Sequence, residues 1–179
     1  MKVYIAGFDV FLVKHEKHFE DIKNICKKYN VEPLIPTDKN IPSDLKTKEE
    51  ISKFIFKSNI EMINSCDGIL ANLNAFRGSE PDSGTVFEVG YGYGIGKKIV
   101  GYTSSTDLYR SVTSKGYQNN DLLYISNGRF GRFNIEDFGL PLNLMLSCSI
   151  EIVSGVDGSF KNSLKKLLEI VWNAIYKRF

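Results

Sequence analysis

GILANLNAFRGSEPDSGTVFEVGYGYGIGKKIVGY, residues 68–102, reads as a strand, a helix and a second strand in succession. GILANL (68–73) and KIVGY (98–102) are short apolar runs bounded by turn residues, as buried strands are. Between them Ser83 or Asp82 can cap a helix that carries Val86, Phe87, Glu88, Val89 and Tyr91. Glu88 stands alone in an otherwise apolar and glycine-rich segment. Burying a carboxylate unpaired costs on the order of several kcal/mol, so Glu88 has either a buried partner or chemistry to perform.

The same alternation extends along the chain. VYIA (3–6) ends at Gly7 as a buried strand would, and VEPLIP (31–36) is a second strand suited by Pro33 to an edge. SIEIV (149–153) is a fifth. Phe19, Ile22, Cys26 and Tyr29 recur at helical spacing. A longer helix from about Thr47 to Ser65 has Ile51, Phe54, Ile55, Met62 and Ile63 as its expected inner face. In the last helix Leu164, Leu167, Leu168, Val171, Trp172 and Ile175 form one stripe. Strands alternating with helices imply an α/β domain whose five-stranded parallel sheet has helices on both faces. Residues 103–137, rich in Ser, Asn, Gly and Tyr, read as a long irregular insertion in a single domain spanning 1–179.

Ligands of such sheets bind outside the carboxyl ends of the strands, where the strand order reverses. If the first and third strands are neighbours, the loops Gly7–Phe11 and Asn72–Asp82 converge there with the start of the Glu88 helix.

Bulk properties narrow the function classes. The 179 residues are 42% hydrophobic and 25% charged, with a net charge of +2, which gives no reason to invoke nucleic acid as a partner. No apolar run approaches the roughly 20 residues that span a bilayer, and the chain starts straight into a strand without a secretory pattern. Cys26, Cys66 and Cys148 form no C-x-x-C pair and read as buried thiols of a cytoplasmic protein. His15 and His18, beside Glu16 and Glu20, read as a solvated helix face rather than a metal site.

The glycines at 90, 92, 94 and 96 do not make a nucleotide loop. The last position of G-x-G-x-x-G falls on Ile95 or Lys97, and G-x-x-x-x-G-K-[ST] fails at Tyr91 and Lys98. Close packing of a helix on the sheet is the plainer reading. With two histidines and no Ser-His-Asp arrangement, carboxylate chemistry remains. Asp82 and Glu88 flank one helix start, Asp9 lies on the opposite loop, and paired carboxylates of this kind serve covalent catalysis at a sugar's anomeric carbon. A helix start beside Glu88 would help to keep it ionised, as a nucleophile requires.

Three blocks, KVYIAGFDVF, CDGILANLNAFRGSEPDSGTVFEVGYGYGIGKKIVGY and FGLPLNLML, together resemble the nucleoside 2-deoxyribosyltransferase family. The likeness covers most of the chain outside the 103–137 insertion and the last helix. It implies a flavodoxin-like fold, homo-oligomers built from dimers, no metal or organic cofactor, and deoxynucleoside and free nucleobase as substrates. It also implies transfer of 2-deoxyribose between bases through a covalent glycosyl-enzyme, with retention. Glu88 matches the nucleophile and Tyr4 the tyrosine that orients it. Gly7, Phe8 and Asp9 fall in the nucleoside pocket, with Phe8 at a base-contacting position. Asp82 matches a carboxylate that holds the sugar's 5′-hydroxyl, and Asn143 an asparagine reaching that hydroxyl from a neighbouring subunit. Asn59 matches a position that assists the departing base and is Asp in several relatives; an amide hydrogen-bonds but cannot supply a proton as an acid does. Phe8 replaces a proline of many relatives, and the KRF terminus stands where some relatives extend into a neighbour's site. A 2′-deoxynucleoside 5′-monophosphate N-glycosidase and a non-catalytic nucleoside-binding domain are the alternatives.

Overall fold

The computed structural model describes residues 1–105, 107, 121–126, 129–134 and 136–176. The elements in chain order are β1 (Lys2–Ala6), α1 (His15–Lys28), β2 (Glu32–Leu34), α2 (Lys48–Ser65), β3 (Gly68–Asn72), α3 (Ser83–Gly94) and β4 (Lys98–Thr103). There follow β5 (Asp121–Ser126), β6 (Arg129–Asn134), α4 (Leu144–Ser147), β7 (Glu151–Ser154) and α5 (Phe160–Tyr176). Five strands form one parallel sheet in the order β2-β1-β3-β4-β7. This is the flavodoxin-like order, and β1 and β3 are indeed neighbours, so the order reverses between them.

Strand alternation divides the core. Val3, Ile5, Leu70 and Val100 pack with Phe19, Ile22 and Cys26 of α1 and with Leu164 and Leu167 of α5. On the other face Tyr4, Ala6, Ile69 and Ala71 meet Met62 and Ile63 of α2, Val89 of α3 and Leu146 of α4. Thr47 and Glu50 close a reciprocal capping box on α2, and Asp82 caps α3 by accepting from the Thr85 N–H at 3.0 Å. No helix among the described residues is long and apolar enough to cross a membrane.

Several expectations need correction. The insertion is not wholly irregular, because β5 and β6 pair antiparallel within it. Ile55 leaves the inner face of α2 and is 42% exposed, since that end of the helix borders a cleft instead of the sheet. Trp172 is 62% exposed at the flank of the α5 stripe, next to Val171 that still packs on the core, and the Ile175 side chain lies outside the described residues. So does the KRF terminus. Cys26 and Cys66 are buried free thiols, whereas Cys148 is exposed just past α4.

The glycine series also separates. At Gly92 a Cβ would collide with Ile69 Cδ1 and press on Ile99 Cδ1 at 3.3 Å, so α3 lies close on β3 and β4 there. Gly94 has open space instead, and Gly96, at φ 77°, ends the helix. Gly92→Ala should therefore destabilise the protein by about 1–3 kcal/mol through overpacking. Gly94→Ala should stabilise it by up to about 1 kcal/mol through helix propensity. Urea midpoints of the two variants check the opposite signs.

Candidate active site

The carboxyl ends of β1 and β2 and the start of α3 open onto a cavity of about 520 Å³ bordered by Gly7, Phe11, Asn59, Asp82, Thr85 and Glu88, among others. Each polar side chain arrives there for a local reason. Alternation in β1 turns Tyr4 away from α1 and toward α2 and α3, where it is fully buried. Its hydroxyl donates to Glu88 Oε1 at 2.6 Å. Asn59, on α2, donates from Nδ2 to the same oxygen at 3.3 Å. Asp82 takes the first place before α3 and accepts from both the N–H and the hydroxyl of Thr85.

Burial, with the Glu88 charge second, holds the Tyr4 phenol far above its usual range, so it remains a donor. Burial likewise pushes Glu88 up to about 7; the Asp82 charge adds to the rise, while the bonds from Tyr4 and Asn59 oppose it. Burial thus outweighs the help that the helix start was expected to give toward keeping Glu88 ionised. The dipole effect fades within the first turn, Glu88 lies in the second, and the Asp82 carboxylate sits on that positive end.

Of the remaining site candidates, Gly7 borders the same cavity, whereas Phe8, Asp9 and Asn143 do not line it. Asp9 is buried; Asn72 Nδ2 donates to its two oxygens at 3.1 and 2.9 Å, and His18 Nε2 stands 3.0 Å from Oδ1. His18 is thus tied to the site loop rather than to a solvated face, a link that only the tertiary packing of α1 creates. A Cβ at Gly7 would strike the Asp9 carboxylate, so this turn requires glycine there. Phe8 stacks on Phe76 at 4.7 Å, Phe76 on Phe11 at 5.6 Å, and the Arg77 guanidinium covers Phe76 at 4.5 Å. The Phe76–Arg77 pair was not singled out by pattern, although an aromatic–Arg step within the Asn72–Asp82 loop is a usable signal. Asn143 caps α4, donates to Glu136 at 2.8 Å and borders a second cavity with Pro81, Val86, Gly90 and Tyr93. Within one chain it does not join Glu88. Among the described residues no group of three or more His, Cys, Asp and Glu could hold a metal ion.

Residues 3–145 match the model of the family described as nucleoside 2-deoxyribosyltransferase. The chain belongs to that family. A solved structure described as 2-desoxiribosyltransferase from Leishmania mexicana is 31% identical, with a TM-score of 0.68, over 94% of this chain and 97% of that one. A conserved protein from Enterococcus faecalis shares the fold at 19% identity and a TM-score of 0.56, over 97% of this chain and 98% of its own. An uncharacterized protein of Schizosaccharomyces pombe is 31% identical over 109 residues, 60% of this chain. The chain spans about half, 52%, of that relative's length.

Glu88 makes stability depend on pH. Its folded value of about 7 lies above the 4.5 of a free glutamate, so between these values the folded state binds more protons and stability falls as pH rises. Glu88→Gln keeps the acceptor for Tyr4 and removes the charge. It should match the wild type near pH 4.5 and exceed it by about 2–3 kcal/mol at pH 8. Urea denaturation at the two pH values measures the difference.

Proposed function

We propose that this enzyme acts on N-glycosidic bonds, transferring 2-deoxyribose from one nucleobase to another on 2′-deoxynucleosides. The observation that carries the reading is the Tyr4–Glu88 pair, whose carboxylate borders the cavity. The Glu88 carboxylate attacks the anomeric carbon, the base departs, and a covalent glycosyl-enzyme forms. A second base then attacks the same carbon, and the two inversions amount to retention. Without an acceptor base, water releases the sugar slowly. Tyr4 orients the carboxylate, Asn59 hydrogen-bonds the departing base, and Asp82 accepts from the sugar's 5′-hydroxyl. Gly7 and Phe8 shape the nucleoside pocket, while Asp9 fixes their loop. Asn143 would serve a neighbouring copy, making a homo-oligomer the working unit.

Incubation with a deoxynucleoside and a different free base, followed by chromatography, tests the reaction. Exchange should appear, and Glu88→Ala should lower it by about a thousandfold or more while leaving circular dichroism unchanged. Deoxyribose trapped on the Glu88 peptide, located by mass spectrometry, would support the covalent step. Exchange at the wild-type rate in a folded Glu88→Ala protein overturns it. Because attack needs the anion, kcat/KM should rise with pH through about 7. Asp82→Asn removes a charge that raises Glu88, so its acid limb should move to lower pH.

Asp82 also bears on nucleoside against nucleotide. A 5′-phosphate carries nearly two negative charges, and like unit charges about 4 Å apart repel by about 4 kcal/mol at an effective dielectric near 20. Deoxynucleosides should therefore be used and their 5′-monophosphates largely refused, with Asp82→Ser gaining monophosphate binding. Kinetics on a matched pair decide it; a preference for the monophosphate would assign the chain to N-glycosidase chemistry instead.

A further inference from the structure

We infer that His18 is a positioning residue for the proposed reaction. Through the buried Asp9 carboxylate it holds the Gly7–Phe11 turn against the cavity, and so sets how tightly a deoxynucleoside is bound. The inference rests on the function proposed above and adds to that site a residue that touches no substrate.

The chain leaves β1 at Gly7 and tightens into a short helical turn over Phe8–Phe11. Gly7, Val10 and Phe11 border the cavity, whereas Asp9 between them is 4% exposed. A Cβ at Gly7 would strike Asp9 Oδ2 and come within 2.9 Å of Asn72 Cβ. The carboxylate therefore packs directly against the backbone of the cavity wall. Where it sits, the wall sits.

Two sides fix that carboxylate. From the sheet, Asn72 at the end of β3 donates Nδ2 to its oxygens at 3.1 and 2.9 Å. Asn72 is held in turn, because its Oδ1 accepts from Asn74 Nδ2 at 2.7 Å. Asn74 Oδ1 accepts from the Ser104 N–H at 2.8 Å and its hydroxyl at 2.7 Å, just past β4. From α1 comes His18, among the described residues the one ion-pair partner of Asp9, with Nε2 3.0 Å from Oδ1. The imidazole is 37% exposed, yet Nε2 itself is buried and lies off the hydrogen-bond axis. The attraction is electrostatic more than directional.

A packing role alone does not call for such a group. Breaking a buried ion pair is destabilising, but an apolar replacement of like volume is often as stable as the pair. What the pair adds is a defined position, since leaving it strands a buried charge. Position counts here, because a misplacement of about 1 Å beside a reacting centre can cost about a hundredfold. The nucleophile is secured separately. Tyr4 belongs to the α2–α3 face of the sheet, whereas His18 packs on Phe19 of the α1 face. Loss of His18 should therefore loosen the wall and leave the Tyr4–Glu88 bond in place.

Binding is read by titration calorimetry of deoxyadenosine and thymidine into the full chain carrying Glu88→Ala, which holds substrate without turning it over. Adding His18→Ala should weaken Kd about 5- to 30-fold for the probe that binds more tightly. With Asp9→Asn also present, the same change should cost less than about twofold, because His18 acts through that carboxylate. In base exchange with Glu88 intact, His18→Ala should raise KM for the donor by a similar factor and change kcat by less than about threefold. A lowered melting temperature with Kd and KM unchanged assigns His18 to the fold alone and overturns the inference. So does an undiminished effect in the Asp9→Asn chain, a fall in kcat without a rise in KM, or failure of both probes to bind. His18→Leu, which has no polar atom, carries the same expectations if His18→Ala is unfolded. Coupled loss of binding without any wild-type exchange refutes the transferase reading and leaves this one standing. Exchange with Kd and KM indifferent to His18 does the reverse.

Discussion

The hydrogen bond of 2.6 Å from Tyr4 to Glu88 joins the middle of the sheet to the helix above it. Three separate features must hold for it to form. Alternation along β1 must turn Tyr4 to the α2–α3 face, β3 must lie beside β1, and α3 must come down close on the strands. The third is aided at Gly92, one turn beyond Glu88 on the same side of α3, where a Cβ would collide with Ile69 Cδ1. A side chain at 92 would lift the helix and stretch the bond. The glycine that reads as a packing device is in this way also a device for placing a carboxylate.

Three carboxylates gather at this end of the sheet, and the fold treats each differently. Asp9 is buried but well supplied, with Asn72 bonded to its two oxygens and His18 alongside. Asp82 takes both of its bonds, from the N–H and hydroxyl of Thr85, on Oδ2 alone. Glu88 receives one short bond and one long bond, both on the same oxygen, so Oε2 has no protein donor among the described residues. It is also the one that burial drives up to about 7. A carboxylate whose lone pairs are engaged is stable and inert, whereas one left half-satisfied stays available to an incoming electrophile. An open oxygen sets Glu88 and Asp82 apart from Asp9, and Glu88 adds the short bond from the buried Tyr4 that fixes its aim.

Much of this was legible in the sequence. Apolar runs and helical spacing placed all five strands of the main sheet and the helices over it, and an isolated carboxylate in GTVFEVGY marked the centre of the site. Periodicity gives the face of a helix, however, not where the sheet beneath it ends. Ile55 and Trp172 fit their apolar stripes and still face a cleft or solvent, because Ile55 borders the cavity and Trp172 stands at the flank of its stripe. His18 could not be linked to Asp9 from sequence, since the contact depends on how α1 packs beside the β1 loop. The β5–β6 pair was missed because DLLYIS is a short run without alternation and Gly131 interrupts RFGRFN. Asn59 was legible as a departure from Asp, but the unpaired state of its oxygen emerges only from the packed cleft.

Helix α3 separates two cavities, and this bears on the proposed sharing of sites between copies. Thr85 and Glu88 border one, while Val86, Gly90 and Tyr93 border the other together with Asn143. An asparagine on the far side of a helix cannot serve its own chain's carboxylate without moving that helix off the sheet, which the contact at Gly92 opposes. Around this region Phe56, Phe87, Tyr93 and Met145 are all more than half exposed, and Phe87 lies near Phe56 and stacks with Tyr91. Phe56, Phe87 and Tyr91 thereby form an aromatic cluster at the surface, of the kind that a second copy in the proposed homo-oligomer would cover. A second copy related by a two-fold axis would cover the patch on both chains at once.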